Sequence, residues 1–335
     1  MFILGCHRPG TSLLTNVLKT ALELHSSEEV KTRQKTTEWN IDNPAGHHES
    51  LTIVELNERL LAIANSSWNH PFLLTPNWTD LERYLSLNET RKKLMPWALK
   101  SHWIEKDPRL CLTREAYYHL LLKEVPSIAI IRHPYEVANS LLARDGMHSD
   151  RALALWMAYN YHLFNSCRSL PKDVLTFTFL RKNHKESSSR LCNAMKSIAH
   201  IPAHIIEQQL KDKLVKDLVR SKPEQLLSTH ASTGLREACI TLYEICLKAT
   251  DQSLACQLIA KEFKAHYLMH LEELNEIFPI NKIPEANCTD AERLRLDNHR
   301  LIEIMHYSRT SYRRTAIKLA RSAINLIKKP PKSSP

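Results

Sequence analysis

The chain has 335 residues, 43% of them hydrophobic, a formal net charge of +10 and five glycines. Its apolar content is ample for a buried core, and without a window of 18 consecutive apolar residues no transmembrane helix is expected. The basicity does not indicate a nucleic-acid-binding body. After Glu303 no acidic residue follows, while Arg309, Arg313, Arg314, Lys318, Arg321, Lys328, Lys329 and Lys332 supply eight of the ten net positive charges.

The apolar run Phe2-Ile3-Leu4 reads as a strand and empties into Gly5-Cys6-His7-Arg8-Pro9-Gly10-Thr11-Ser12. Two of the five glycines frame this turn, and glycine is the residue that lets a backbone bend tightly around something. The spacing follows the P-loop pattern Gly-x-x-x-x-Gly-Lys-Ser/Thr, but Thr11 stands where a nucleoside triphosphatase has its Lys, and the cation has moved to Arg8. What remains is a turn rich in backbone donors, an Arg, two hydroxyls and a helix start, which together suit one phosphate or sulfate group.

A helix follows, with Leu13, Leu14, Val17, Leu18, Ala21 and Leu22 on its apolar face, and another over 49 to 63 turns Ile53, Val54, Leu56, Leu60 and Leu61 inward. Residues 65 to 99, with Trp68, Pro71, Pro76, Trp78, Pro96 and Trp97, are less regular and read as partly buried surface structure, with a loop-rich wall of a substrate cleft as the alternative. A strand ends near Glu105, and Lys106-Asp107-Pro108-Arg109 precedes a helix around 113 to 124. Ser127 to Ile131 is the clearest buried strand and delivers Arg132 at its end. Helices over about 134 to 145 and across Trp156 to Phe164 come next, then a strand from Val174 to Phe179. Beyond residue 200 the periodic segments, 203 to 218, 235 to 248, 253 to 276 and 291 to 306, are all helical.

Alternating strands and helices predict an α/β fold with a central parallel sheet, followed by a helical C-terminal region. In such a sheet the carboxyl ends of the strands line the ligand crevice, so the loop, Lys106 and Arg132 converge on a ligand with several negative charges. The eight cysteines have no Cys-x-x-Cys or Cys/His ligand spacing, so neither a disulfide framework nor a metal site is indicated. With the opening strand leaving no room for a leader, a cytoplasmic location is expected.

Arg132-His133-Pro134 and Ser140, added to the loop, make the chain resemble sulfotransferases that use 3′-phosphoadenosine 5′-phosphosulfate (PAPS), most of all their bacterial branch. That branch opens with Gly-x-His-Arg-Ser-Gly-Thr-Ser, met by Gly5 to Ser12. It continues with Gly46-His47-His48-Glu49, Leu56-Asn57, Lys106-Asp107-Pro108-Arg109, Arg132 to Leu141, and Leu155-Trp156 with Tyr159. The resemblance covers residues 1 to about 200 and implies a P-loop-like three-layer fold there; beyond it, periodicity and charge give a helical extension over 201 to 306 and a basic tail over 307 to 335. It also implies that Arg8, Pro9, Gly10, Thr11 and Ser12 hold the 5′-phosphosulfate, with Arg132 and Ser140 on the 3′-phosphate. Two positions depart from the family: Pro9 stands for Ser, removing a hydroxyl and an N–H, and Phe177 and Phe179 stand where a Tyr approaches the donor.

Sulfuryl transfer to an alcohol needs a base on the acceptor hydroxyl and cations on the moving group, and no metal. Glu49 is assigned as base, Lys106 and Arg8 as the stabilising cations, and His48 as the rival base. The acceptor is an alcohol, with a carbohydrate hydroxyl as the guess by analogy. The competing readings are a P-loop kinase or NTPase and a catalytically degenerate nucleotide-binding protein. Ile317, Ala320, Ile324 and Ile327 on one face of the cationic tail suggest an interfacial helix that meets a membrane surface or a protein.

Overall fold

Four short strands, β1 (Phe2–Leu4), β2 (Glu105–Lys106), β3 (Ser127–Ile131) and β4 (Asp173–Thr176), run parallel in the order β2-β1-β3-β4. They belong to a computed structural model that describes residues 1–22, 49–99, 102–165, 169–214, 233–249 and 252–279. Every residue of these strands is buried, which is why β1 and β3 read as near-continuous apolar runs rather than alternating ones, while β2 buries the charged Glu105 and Lys106. Successive side chains still point to opposite faces. Phe2, Leu4, Ala129, Ile131 and Val174 enter one apolar core, while Met1, Ile3, Ile128, Ile130 and Leu175 enter another.

Helices close both faces, giving three layers. On the first lie α2 (Leu51–Ile63), α3 (Leu87–Leu99), α4 (Leu110–Leu121), α5 (Pro134–Asp145) and α6 (Ser149–Asn165), joined by α10 (Thr233–Lys248), α11 (Gln252–Met269) and α12 (Leu271–Ile277). On the second lie α1 (Thr11–Ala21), α7 (Phe177–Lys182), α8 (His184–Met195) and α9 (Ala203–Leu214). The chain is thus an α/β protein with a central parallel sheet. Trp156, fully buried in the middle of α6, packs its ring beside Phe263 of α11 at 5.7 Å and donates its indole N–H to Arg132 O at 3.0 Å. That bond fixes the strand end from which Arg132 projects.

Several local expectations are corrected. The strand expected over Val174 to Phe179 stops at Thr176, whose side chain accepts from Phe179 N at 3.1 Å and so caps α7. Phe177 and Phe179 are therefore helical. The segment 65 to 99, expected to be irregular, contains α3, whose Pro96 disguised a helix in the sequence. The single helix expected over 253 to 276 breaks at His270, whose N–H is shared between His266 O and Tyr267 O, each at 3.2 Å. Helix α8, rich in serine, was not expected at all. Residues 291 to 306 and the basic tail lie outside the described residues, and no described helix is long and apolar enough to cross a membrane.

Candidate functional site

The loop after β1 is shaped by crowding. A Cβ on Gly5 would lie 2.7 Å from Ile130 O and 2.8 Å from Pro9 Cγ, and one on Gly10 would lie 2.5 Å from Phe177 Cδ2. Gly10 also has φ +101°, a left-handed conformation that glycine adopts without cost. Arg8, a non-glycine, is left-handed too at φ +64°, the kind of backbone strain that clusters at ligand sites. Pro9 packs inward against Gly5 and stays buried. The first intrahelical bond of α1 runs from Leu14 N to Gly10 O at 3.1 Å. Gly10 is the N-cap of α1 and has no side chain to offer the first N–H groups of the helix, so a helix start follows the loop directly.

Around it stand the cations from the neighbouring strands. Arg8 donates Nε–H to Ser140 Oγ at 2.8 Å. Arg132 donates Nη1–H to Arg8 O at 3.3 Å and Nε–H to Glu136 Oε2 at 2.5 Å. Its guanidinium lies 4.8 Å from the Phe177 ring centroid, a cation–π contact that fixes its plane. The structure therefore brings Arg8, Pro9, Gly10, Thr11, Ser12, Arg132 and Ser140 to one sheet edge. Ser140 meets Arg8 rather than Arg132, and Glu136 is the partner of Arg132 that sequence reasoning passed over.

Lys106 ends β2 and donates to Glu49 Oε1 at 2.6 Å, with Lys106 3% exposed and Glu49 5%. Glu49 was expected to begin its helix; instead Ser50 is the N-cap and Glu49 lies outside, in position to reach across to β2. Next to the pair, Asp107 is fully buried and holds Arg109 by its Oδ2 at 3.0 Å, while Arg109 reaches Glu58 at 3.0 Å. Burial pushes the Asp107 carboxyl up to about 6; Arg109 opposes this and the charge of Glu49 adds to it. His48 lies outside the described residues.

His7 of the loop is buried too, 7% exposed. The Tyr159 hydroxyl donates to Trp68 O at 2.7 Å, so its oxygen accepts from His7 Nε2–H at 3.1 Å, and this sets the imidazole tautomer. Burial holds the His7 pKa well below its ordinary value, and the charges of Arg144, Arg109, Lys106 and Arg8 hold it lower still. Among the tryptophans, Trp78 and Trp97 are core residues, Trp103 packs edge-on against Phe2, and Trp68 stands 4.8 Å from the His7 ring. Among the described residues no three His, Cys, Asp or Glu side chains are grouped as metal ligands.

The chain was compared with known proteins. No family model matches it, nor does any curated protein sequence. Among solved structures it is similar to the sulfotransferase domain from the Synechococcus PCC 7002 olefin synthase, at 17% identity and a TM-score of 0.38 over 78% of this chain and 93% of that one.

Proposed function

We propose that the chain is a sulfotransferase that moves the sulfuryl group of PAPS to the hydroxyl of an acceptor alcohol. One observation carries this reading: Arg8, Arg132 and the buried Lys106–Glu49 pair, drawn from three strand ends, surround a glycine-framed helix start that lacks the Walker Lys. The resemblance of the sequence motifs points the same way.

In this reading Thr11 and Ser12, with the backbone N–H groups of the helix start, hold the 5′ end of the donor, and Arg8 neutralises it. Arg132 and Ser140 hold the 3′-phosphate, whose charge competes with Glu136 for the Arg132 fork. PAPS supplies an activated sulfuryl group whose S–O bond to phosphate breaks as the acceptor oxygen bonds to sulfur. Glu49 accepts the hydroxyl proton, and Lys106, already 2.6 Å from it, shares its charge with the developing negative oxygens. Placing base and cation side by side aligns proton removal with charge stabilisation.

Calorimetry with adenosine 3′,5′-bisphosphate and adenosine 5′-phosphate, without Mg²⁺, tests the reading. The bisphosphate is expected to bind at least about tenfold more tightly, the worth of a charge-assisted contact. Arg132→Ala should erase the difference. Equal affinity in the parent chain refutes the 3′-phosphate site, and turnover in a screen of alcohols with labelled PAPS separates an enzyme from a binding protein.

A further inference from the structure

Helix α5 carries Glu136, Ser140 and Arg144 at intervals of four, so the three share one face and follow one another at about 6 Å per step along the axis. Each meets the site at a different place. Glu136 holds Arg132, and Ser140 accepts from Arg8. The Arg144 guanidinium lies 5.3 Å from the centroid of the Trp68 ring, which stands 4.8 Å from the His7 imidazole. The first two steps fall within the subsites assigned above to the donor. The third lies beyond them on the same stripe, beside His7.

Arg144 is also the charge that most strongly disfavours a proton on His7, which places it within electrostatic reach of the loop. Its Nε and Nη2 bond Asp145 at 2.6 to 2.9 Å, leaving Nη1 without a partner among the described residues. Asp145 is exposed, and Trp68 and Arg144 are half-buried, so solvent reaches this end of the stripe. Gly146, left-handed at φ +64°, stops α5 two residues later and keeps Arg144 in the last turn.

We infer that Arg144 is an anchor for a carboxylate on the acceptor, which makes the acceptor class a hydroxy acid such as a uronic acid rather than a neutral alcohol. The inference rests on the sulfuryl-transfer reading for the identity of the two neighbouring steps. A planar guanidinium held against an indole is pre-aligned for a two-oxygen anion, the role that Asp145 fills in the structure. The acceptor carboxylate displaces Asp145, while its hydroxyl is left to Glu49 and Lys106.

Two probes of one skeleton test this, methyl β-D-glucuronide and methyl β-D-glucoside, titrated by ligand-observed NMR into the protein with and without adenosine 3′,5′-bisphosphate. The glucuronide is expected to bind and the glucoside to bind at least about tenfold more weakly. Arg144→Gln should remove that preference while leaving bisphosphate affinity and the melting temperature unchanged. Asp145→Asn, which frees the fork, should tighten glucuronide binding by about two- to fivefold. The proposal is overturned if the glucuronide does not bind, if both probes bind alike, or if the two variants leave its affinity unmoved. Bisphosphate titration of the parent chain is read separately, and its failure overturns the transferase reading instead.

Discussion

Lys106 and Glu49 are each stable where they are because of the other. Removing one partner of such a buried pair leaves an uncompensated charge, typically at a cost of about 3–5 kcal/mol. Glu49→Gln keeps the shape and an oxygen for Lys106 Nζ but cannot accept a proton. It is expected to destabilise the fold by up to that amount in urea unfolding and to lower kcat by roughly 10²- to 10⁴-fold. Nucleotide affinity should stay nearly unchanged, because the Arg8 and Arg132 contacts do not involve Glu49. Activity within a few-fold of the parent would move the base elsewhere, with His48 the first position to test. The pair also marks how far single residues could be read from sequence. Lys106 was placed by its strand and Glu49 assigned as base at the first position of a helix, but only the fold reveals that Glu49 lies before that helix and that the two carry one shared charge balance.

Between elements, the loop and the β4–α7 junction are interlocked through Gly10 and Phe177. An alanine at position 10 faces two penalties. Its Cβ would strike the Phe177 ring at 2.5 Å, and φ +101° costs an L-residue about 1–2 kcal/mol. Gly10→Ala is therefore expected to destabilise by about 2–5 kcal/mol, the sum of overpacking and backbone strain. Adding Phe177→Ala should recover the steric share alone, so the two changes will be non-additive in a double-mutant cycle read by urea midpoints. Fully additive costs would mean that the ring does not press on the loop. Elements with a simple local signal were legible in the sequence. Strand β3 appeared with its observed bounds because Ser127 to Ile131 is apolar on both faces, and α5 because Pro134 sits at its first position with His133 as cap. Elements decided by one capping or breaking residue were not. Thr176 ended a strand that hydrophobicity alone would have continued, and Pro96 hid a helix that tertiary packing of Leu94 and Trp97 holds in place.

At the scale of the whole molecule, buried histidines couple folding to pH. Burial lowers the pKa of His162 from 6.5 to about 3 and that of His266 to about 4, and His7 also lies well below 6.5. Below pH 6.5 the unfolded chain takes up protons that the native state refuses, so stability is present above that pH and lost as pH falls. Each such group contributes about 1.4 kcal/mol per pH unit in that window. Asp107, raised to about 6, acts in the opposite sense by binding its proton earlier when folded. Urea midpoints should thus fall steeply between pH 6.5 and pH 5, and His162→Gln should reduce the slope by about one group's share; an unchanged slope would show that His162 is not refusing a proton. The order of the sheet has a consequence of another kind, in the timing of synthesis. Strand β1 lies at the centre, bonded to β2 at residue 105 and to β3 at residue 127, so both neighbours are made roughly a hundred residues after it. At about 5–20 residues per second, β1 waits some 5–20 s on the ribosome with both edges open. Three apolar residues are too short a segment to template a stable sheet with another nascent chain, and that brevity protects the polypeptide through its most exposed interval.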